Sequence, residues 1–449
     1  MEKRSGNFIA IFCPLPSALF RPLPSALIIR MKAYIYATGI KISPFNDDVG
    51  QSRVFNRPLE AMQREALARL GIPAVNVRSL DEVPAGPGLL IYDHVCFSPD
   101  VLRKFKAQVE KVGRPAVLAL RAGGFTDFTL PIQDAVAETL PDGGAAVRYG
   151  VYYFREAPRR AEELAAAERV VVTPDEKKLR IERVERLTEG RERMEYSLTR
   201  DYVFHINHWS HILYANLYAL YHYWTDASPG RLAWYLGCLL RAHSLNKWKL
   251  MAKMVRQGKN CDIHPSAVVE ASILGNNVKI GRRASVWGSV LADNVEVDSG
   301  ADLTTTIVGE DATIASNTRL ALTVIYPRAC VGQFLMQGFV IGRGVLAAPA
   351  GFAMDMKLGR DIVVEHQGRP VSTGKRFLGS CIGHQAVIGA GVWLDSGLEI
   401  PNGYHLVRDP DQMVRKVPKG LPTGKPLIVR DGTLIPIHKR RKGPRLDKE

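Results

Sequence analysis

The chain has 449 residues, 46% of them apolar, with a formal net charge of +15 and a sequence pI near 9.5. That length suggests two or three domains, and that apolar content excludes wholesale disorder. The positive balance favours anionic ligands such as nucleotides, sugar phosphates, acidic lipid headgroups or nucleic acid, although the run His438-Lys439-Arg440-Arg441-Lys442 supplies several of the charges.

Residues 1–30 hold a near-duplicate, Pro14–Leu19 and Pro22–Leu27. Prolines at that density break helix and strand alike. They also interrupt any signal-peptide core, so this extension is set apart from the fold and Met31 is read as the start of structure. From there an α/β domain is expected over 31–225, with parallel strands alternating with helices. Ala33–Tyr36 is a strand, and Pro58–Leu70 is a helix with Leu59, Met62, Ala66, Leu67 and Leu70 on one face and Gly71 as its stop. Leu89–Tyr92 is a buried strand ending at Asp93. Ser98 caps a second helix with Pro99 at its first position, and Ala116–Leu120 is a further strand. Ligands of such sheets sit at the carboxyl ends of strands, which makes Asp93 a candidate metal or phosphate-proximal carboxylate. The competing reading is an ordinary cap or turn residue.

Residues 202–224 are dense in aromatics and include His205, His208, His211 and His222. On a helix the first three spread over too wide an arc to close on one ion, and no carboxylate lies between them. Packing of an aromatic helix against the sheet is the preferred reading. Residues 230–257, within a connector over 226–260, read as one basic amphipathic helix: Leu232, Leu236, Leu239, Leu240 and Leu250 against Arg241, Lys247, Lys249, Lys253 and Arg256. It serves either as a connector docked on a neighbouring domain or chain, or as a membrane-surface helix.

From 261 to 409 aliphatic residues recur at six-residue intervals: Leu274, Ile280, Val286; Val297, Leu303; Ile314, Leu320; and Ile382, Ile388, Leu394, Ile400, Leu406. Glycine often follows the anchor. That period fits a coil of three short flat strands, each with one inward aliphatic, stacked into a left-handed parallel β-helix. Glycine and asparagine suit its corners. The period fails over 345–376, which is read as a loop or hairpin extruded from the coils. A basic tail spans 410–449. The six cysteines, Cys13, Cys96, Cys238, Cys261, Cys330 and Cys381, form no C-x-x-C pair. They fit a reducing cytoplasm rather than a disulfide scaffold or zinc site. No apolar run reaches the roughly 20 residues that span a bilayer.

This order of parts resembles the sugar-1-phosphate nucleotidyltransferases that carry a fused hexapeptide acyltransferase domain. The fold expected is a Rossmann-like, nucleotidyltransferase-like α/β domain followed by a left-handed β-helix. Asn56-Arg57-Pro58-Leu59 with Gly71-Ile72-Pro73 is similar to one segment of that family. Tyr92-Asp93-His94 is similar to its metal-bearing strand end, and Gly150–Phe154 to a third segment. Val371–Gly383 resembles the family's Ser-Gly-Arg-Arg-Lys-Leu-Gly segment, and Cys330-Val331-Gly332-Gln333 its Tyr-Val-Gly-Asp. The departures are specific. The phosphate loop reads Ala37–Pro44 with one glycine, a poor cradle. His211 stands where a second metal carboxylate is usual, and Pro327 stands at the acetyltransferase base, which proline cannot replace. His366 and His384 are substitutes for that base. Trp287 is similar to a feature of γ-class carbonic anhydrases, but the histidine triad of that class has no counterpart.

The resemblance implies a divergent nucleotidyl- or acyltransferase acting on nucleotide sugars or phosphorylated envelope precursors. Asp93 would hold Mg²⁺, Lys41, Arg53 and Arg57 would face a triphosphate, and Asp355, Lys375 and Arg376 would line an anionic-ligand site between β-helices. Acyl-CoA would be a donor, and a homotrimer would form through the β-helix. The alternatives are a non-catalytic nucleotide-sugar-binding scaffold and a peripheral membrane protein. The location implied is cytoplasmic, at or near the inner face of the membrane. Nucleic acid is not expected, because the basic residues are not interleaved with stacking aromatics.

Overall fold

The computed structural model describes residues 31–112, 114–187 and 195–436. The proline-rich extension and the basic run at 438–442 lie outside them. The first body is a seven-stranded sheet with helices. Its strands are β1 (Lys32–Tyr36), β2 (Ala74–Val77), β3 (Gly88–Tyr92), β4 (Ala116–Arg121), β5 (Ala145–Phe154) and β6 (Glu168–Val172), in the order β6-β4-β5-β3-β1-β2. The short strand Ala137–Thr139 is added to β5. Helices α1 (Leu59–Ala68) and α2 (Pro99–Val112) follow the sequence expectation. Ser98 caps α2 by accepting from Val101 N–H at 3.1 Å, and Gly71 closes α1 with φ +70°. The expectation of parallel strands needs correction. β5 runs antiparallel to both β3 and β4, so the sheet is mixed; its ten residues are buried at most positions, as suits a central strand of either direction.

The segment 202–225 does not form one helix. His205 ends a short strand, His208 is the N-cap, and only His211 and His222 lie on helix α3 (Trp209–Thr225). Nor does α3 merely pack on the sheet. Most of its residues are buried, and it also contacts strands of the second body. The single helix expected over 230–257 is in fact two, α4 (Pro229–Ala242) and α5 (Lys247–Lys253). His243 adopts a left-handed conformation (φ 45°) that ends α4, and Asn246 starts α5 by accepting from the Trp248 and Lys249 amides.

The second body is a stack of parallel coils that fits a left-handed parallel β-helix. Two of its faces are eight-stranded parallel sheets and a third is five-stranded. All the hexad anchors are buried except the terminal Leu406, which is half-buried. Along one face Ile263, Ile280, Val297, Ile314 and Val331 stack in register, so a coil advances by 17 residues. Asn277, Asn294 and Asp311 occupy equivalent corners with positive φ and form a side-chain ladder at 2.9 Å per step. The chain leaves the coils as an extruded segment, but later than the 345 expected: Leu346–Ala347 and Phe352–Ala353 still pair with neighbouring coils, and the excursion runs between Ala353 and Leu378. It forms a hairpin (Val363–His366 with Arg369–Ser372) and re-enters at Cys381, which pairs with Val340.

The two bodies share one apolar core. Val290, Ile307, Val324, Tyr326, Val340 and Cys381 of the coils cluster with the residues buried around β1–β6 and α3. Polar contacts lock the seam. Phe45 stacks on Tyr326 and His384. Arg343 and His384 both reach Asp47, at 2.9 and 3.0 Å. Glu399 accepts from Ser43 Oγ at 2.6 Å and lies 3.0 Å from His208 Nε2.

Candidate functional site

A cavity of about 650 Å³ lies where three elements meet. One wall is α3, which presents Leu213, Leu217 and Leu220 at helical spacing together with Tyr214 and Asn216. The opposite wall is the coil face around Ile307, Leu322 and Val324. The roof is the inserted segment, which contributes Asp355, Asp361 and Gly374–Leu378. The insertion is held onto the first body. Gln367 donates to Asp134 at 3.1 Å, His366 Nε2 lies 3.3 Å from the same carboxylate, and Ile362 and Val364 join the shared core.

Lys375 is set by its backbone. Its N–H donates to Thr373 Oγ1 at 3.1 Å and its carbonyl accepts from Ile362 N–H at 2.7 Å. The turn before it, at Gly374, has φ +61°. Its ammonium sits 4.2 Å from the centre of the Phe128 ring. Burial pulls its pKa down to about 8, against the attraction of Asp127 and Asp361. Asp355 is half-buried, and burial pushes its carboxyl up from the ordinary range. A cationic group and a carboxyl are thus held over an apolar slot, each shifted toward its neutral form by desolvation. Such a pocket suits a ligand with one anionic end and one apolar or ring-bearing end. Asp355, Lys375 and Arg376 come together here, and within one chain. Nothing in the sequence pattern singled out Phe128, Tyr214 or the α3 leucines as site residues. The one available signal was an aromatic helix apolar on all sides, which implies burial on all sides.

The other candidates are dispersed. Lys41 and Arg53 line a smaller cavity of about 300 Å³ with Asp47, Tyr326 and Arg343. Arg53 is drawn to Glu310 at 3.5 Å and to the Asn56 carbonyl at 2.7 Å, and Lys41 lies 4.0 Å from Asp48. Arg57 is elsewhere, paired with Glu65. Asp93 caps the loop after β1. Its two oxygens accept from Thr38 N–H at 3.1 Å and Thr38 Oγ1 at 2.5 Å. One carboxylate so engaged, beside His94 at 3.8 Å, does not fit the several hard oxygen ligands that Mg²⁺ prefers. Among the described residues no group of three or more His, Cys, Asp or Glu gathers to hold a metal. No step is therefore assigned to a metal.

His211, His384 and His366 are each held by contacts within the fold. His211 Nδ1 accepts from Asn207 N–H at 3.1 Å, which leaves Nε2–H to donate to the Pro131 carbonyl at 3.1 Å. Burial lowers its pKa to about 3. His384 Nδ1 accepts from Arg343 N–H at 2.8 Å, so Nε2–H faces Asp47. Burial lowers its pKa more than Asp47 raises it. His366 faces Asp134. Neither substitute base lines the large cavity.

The stacked coils define the class, a hexapeptide-repeat parallel β-helix protein. A family model described as "GlmU-like, C-terminal hexapeptide" matches residues 244–324, which take in the turn after α4, all of α5 and the first coils. No curated protein shows a significant match. Among the described residues no helix is long and apolar enough to cross a membrane.

Proposed function

We propose that the chain is an acyltransferase-type hexapeptide-repeat protein acting on a phosphorylated small molecule, such as a sugar phosphate or nucleotide sugar, bound in the 650 Å³ cavity. The observation that carries this reading is the convergence of Asp355, Lys375 and Arg376 on one apolar slot. Lys375 and Arg376 hold the phosphate. Asp355, whose carboxyl burial makes more basic, takes the proton from the acceptor amine or hydroxyl as it attacks the acyl carbonyl. The donor is an acyl thioester such as acyl-CoA, whose thiolate leaves and takes up the proton. A homotrimer through the β-helix belongs to the same reading.

A second reading is a non-catalytic scaffold that binds a nucleotide sugar. It is favoured by Pro327 at the base position and by the full engagement of Asp93 with Thr38. The test is a thermal-shift panel of nucleoside triphosphates, nucleotide sugars, sugar 1-phosphates and acyl-CoA, each with and without Mg²⁺. A ligand at about 100 times its Kd adds about 2.7 kcal/mol. The reading requires a shift with a phosphorylated ligand that is lost in Lys375→Met, and acyl transfer that is lost in Asp355→Asn. Binding without transfer moves the assignment to the scaffold, and silence across the panel sinks both.

A further inference from the structure

Helix α4 is apolar on its outer face as well as on its anchored one. Its anchored face packs Trp234 and Tyr235 against the shared core. Arg231, Cys238 and Ala242 are buried, with Arg231 stacked 3.7 Å from the Tyr223 ring and donating to the Tyr223 carbonyl at 2.9 Å. Its leucines point outward, one per turn: Leu236 is 61% exposed and Leu240 is 72% exposed. Beyond the His243 turn the apolar surface continues through Leu245, 89% exposed, to Trp248 on α5, 52% exposed. A run of large apolar side chains left in water calls for a covering surface.

The charge around the patch selects the cover. From Pro229 to Arg256 the sequence has no Asp or Glu, while Arg241, Lys249, Lys253 and Arg256 are exposed. A second copy docked face to face would set this cationic patch against itself, since a twofold contact is self-complementary. An anionic lipid surface answers both features. It accepts leucines and an interfacial tryptophan below the headgroups and pairs the lysines and arginines with phosphate. With 14 and 7 residues the two helices are too short to span a bilayer and suit lying in its surface. The patch also has a fixed place. The Ala271 amide donates to the Met251 carbonyl at 2.9 Å, which ties α5 to the first coil. A trimer along the β-helix axis would therefore present three such faces at one end, and multivalency would multiply weak single contacts.

We infer that the α4–α5 face is a peripheral membrane-docking surface for bilayers rich in anionic phospholipid. The test is co-sedimentation of the full chain with phosphatidylcholine vesicles containing either no phosphatidylserine or roughly one third of it. Binding should occur only with the anionic vesicles. It should fall about tenfold or more in the triple variant Leu236→Ser, Leu240→Ser, Trp248→Ser, whose exposed positions spare the fold. It should weaken severalfold in Lys249→Ala with Lys253→Ala, and when salt rises from about 0.1 to 0.5 M. Equal sedimentation of wild type and triple variant would place the lipid contact elsewhere and overturn the inference. Failure of the wild type to sediment would overturn it as well. If size exclusion then shows the triple variant smaller than wild type, the face is a contact between copies.

Discussion

Lys375→Met separates what the cavity does for stability from what it does for binding. The folded-state pKa of Lys375 is about 8 against an ordinary 10.5. At about 1.4 kcal/mol per pH unit, the protonated ammonium costs the empty fold about 3 kcal/mol. That penalty is present in full below pH 8, where folded and unfolded chains are both protonated. Between pH 8 and 10.5 the unfolded chain holds the proton more tightly, so wild-type stability rises with pH; above 10.5 the penalty is gone. Contact of the ammonium with the Phe128 ring at 4.2 Å returns about 0.5–2 kcal/mol. Methionine fills the same space without the charge. The variant should therefore unfold at higher guanidinium concentration than wild type at pH 7, by about 1–3 kcal/mol, and match it above pH 10.5. An anionic ligand restores the proton, so wild-type binding at pH 9 should take up protons, measurable by calorimetry in buffers of different ionisation enthalpy. If the variant is less stable than wild type at pH 7, the lysine is not a strained buried cation and the anion-site argument fails with it.

Asp93→Ala should cost about 1–3 kcal/mol, because the Thr38 amide and hydroxyl lose their acceptor; it should leave nucleotide binding equally insensitive to Mg²⁺, and a metal-dependent affinity lost in the variant would restore a metal role. Asp47→Ala strands Arg343 and His384 at the seam; urea unfolding should show about 1–3 kcal/mol lost, or two separated transitions if the seam alone couples the bodies. Gly379→Ala would bring a Cβ within 2.5 Å of the Gln337 carbonyl and 2.3 Å of the Phe339 ring. It should destabilise by at least the 1–3 kcal/mol typical of overpacking, read from the thermal midpoint, and a neutral result would mean that the insertion rejoins the coils differently.

The coils were legible because each strand carries one inward aliphatic. The broken series in the sequence has a structural cause. The early coils advance by 17 residues, so every third step of the anchor is five rather than six, and each hexad run ends after two or three members. The unbroken series from Ile382 to Leu406 lies where Ile388 pairs with Leu406 across a full 18 residues. The antiparallel β5 was not legible, since a strand buried on both faces has the same composition in either direction. Nor was the break at His243, a left-handed residue with no glycine to mark it.

The cavity was half legible for a related reason. Its charged members stand out because Lys375 and Arg376 interrupt the coil pattern inside a segment that the repeat cannot use. Its apolar members belong to α3, whose sequence reads as core. Both readings of α3 are true at once. A helix buried against the sheet on one side and the coils on the other leaves a slot wherever the insertion, rather than another coil, closes the gap. The fixed seam at Phe45, Asp47 and Glu399 keeps that gap from collapsing. A loosened seam should therefore weaken ligand binding without touching a cavity residue. Ser43→Ala removes one of the two partners of Glu399 at an exposed position. It should raise the Kd for a phosphorylated ligand more than it lowers the unfolding midpoint, and an unchanged Kd would show the slot to be held by the insertion alone.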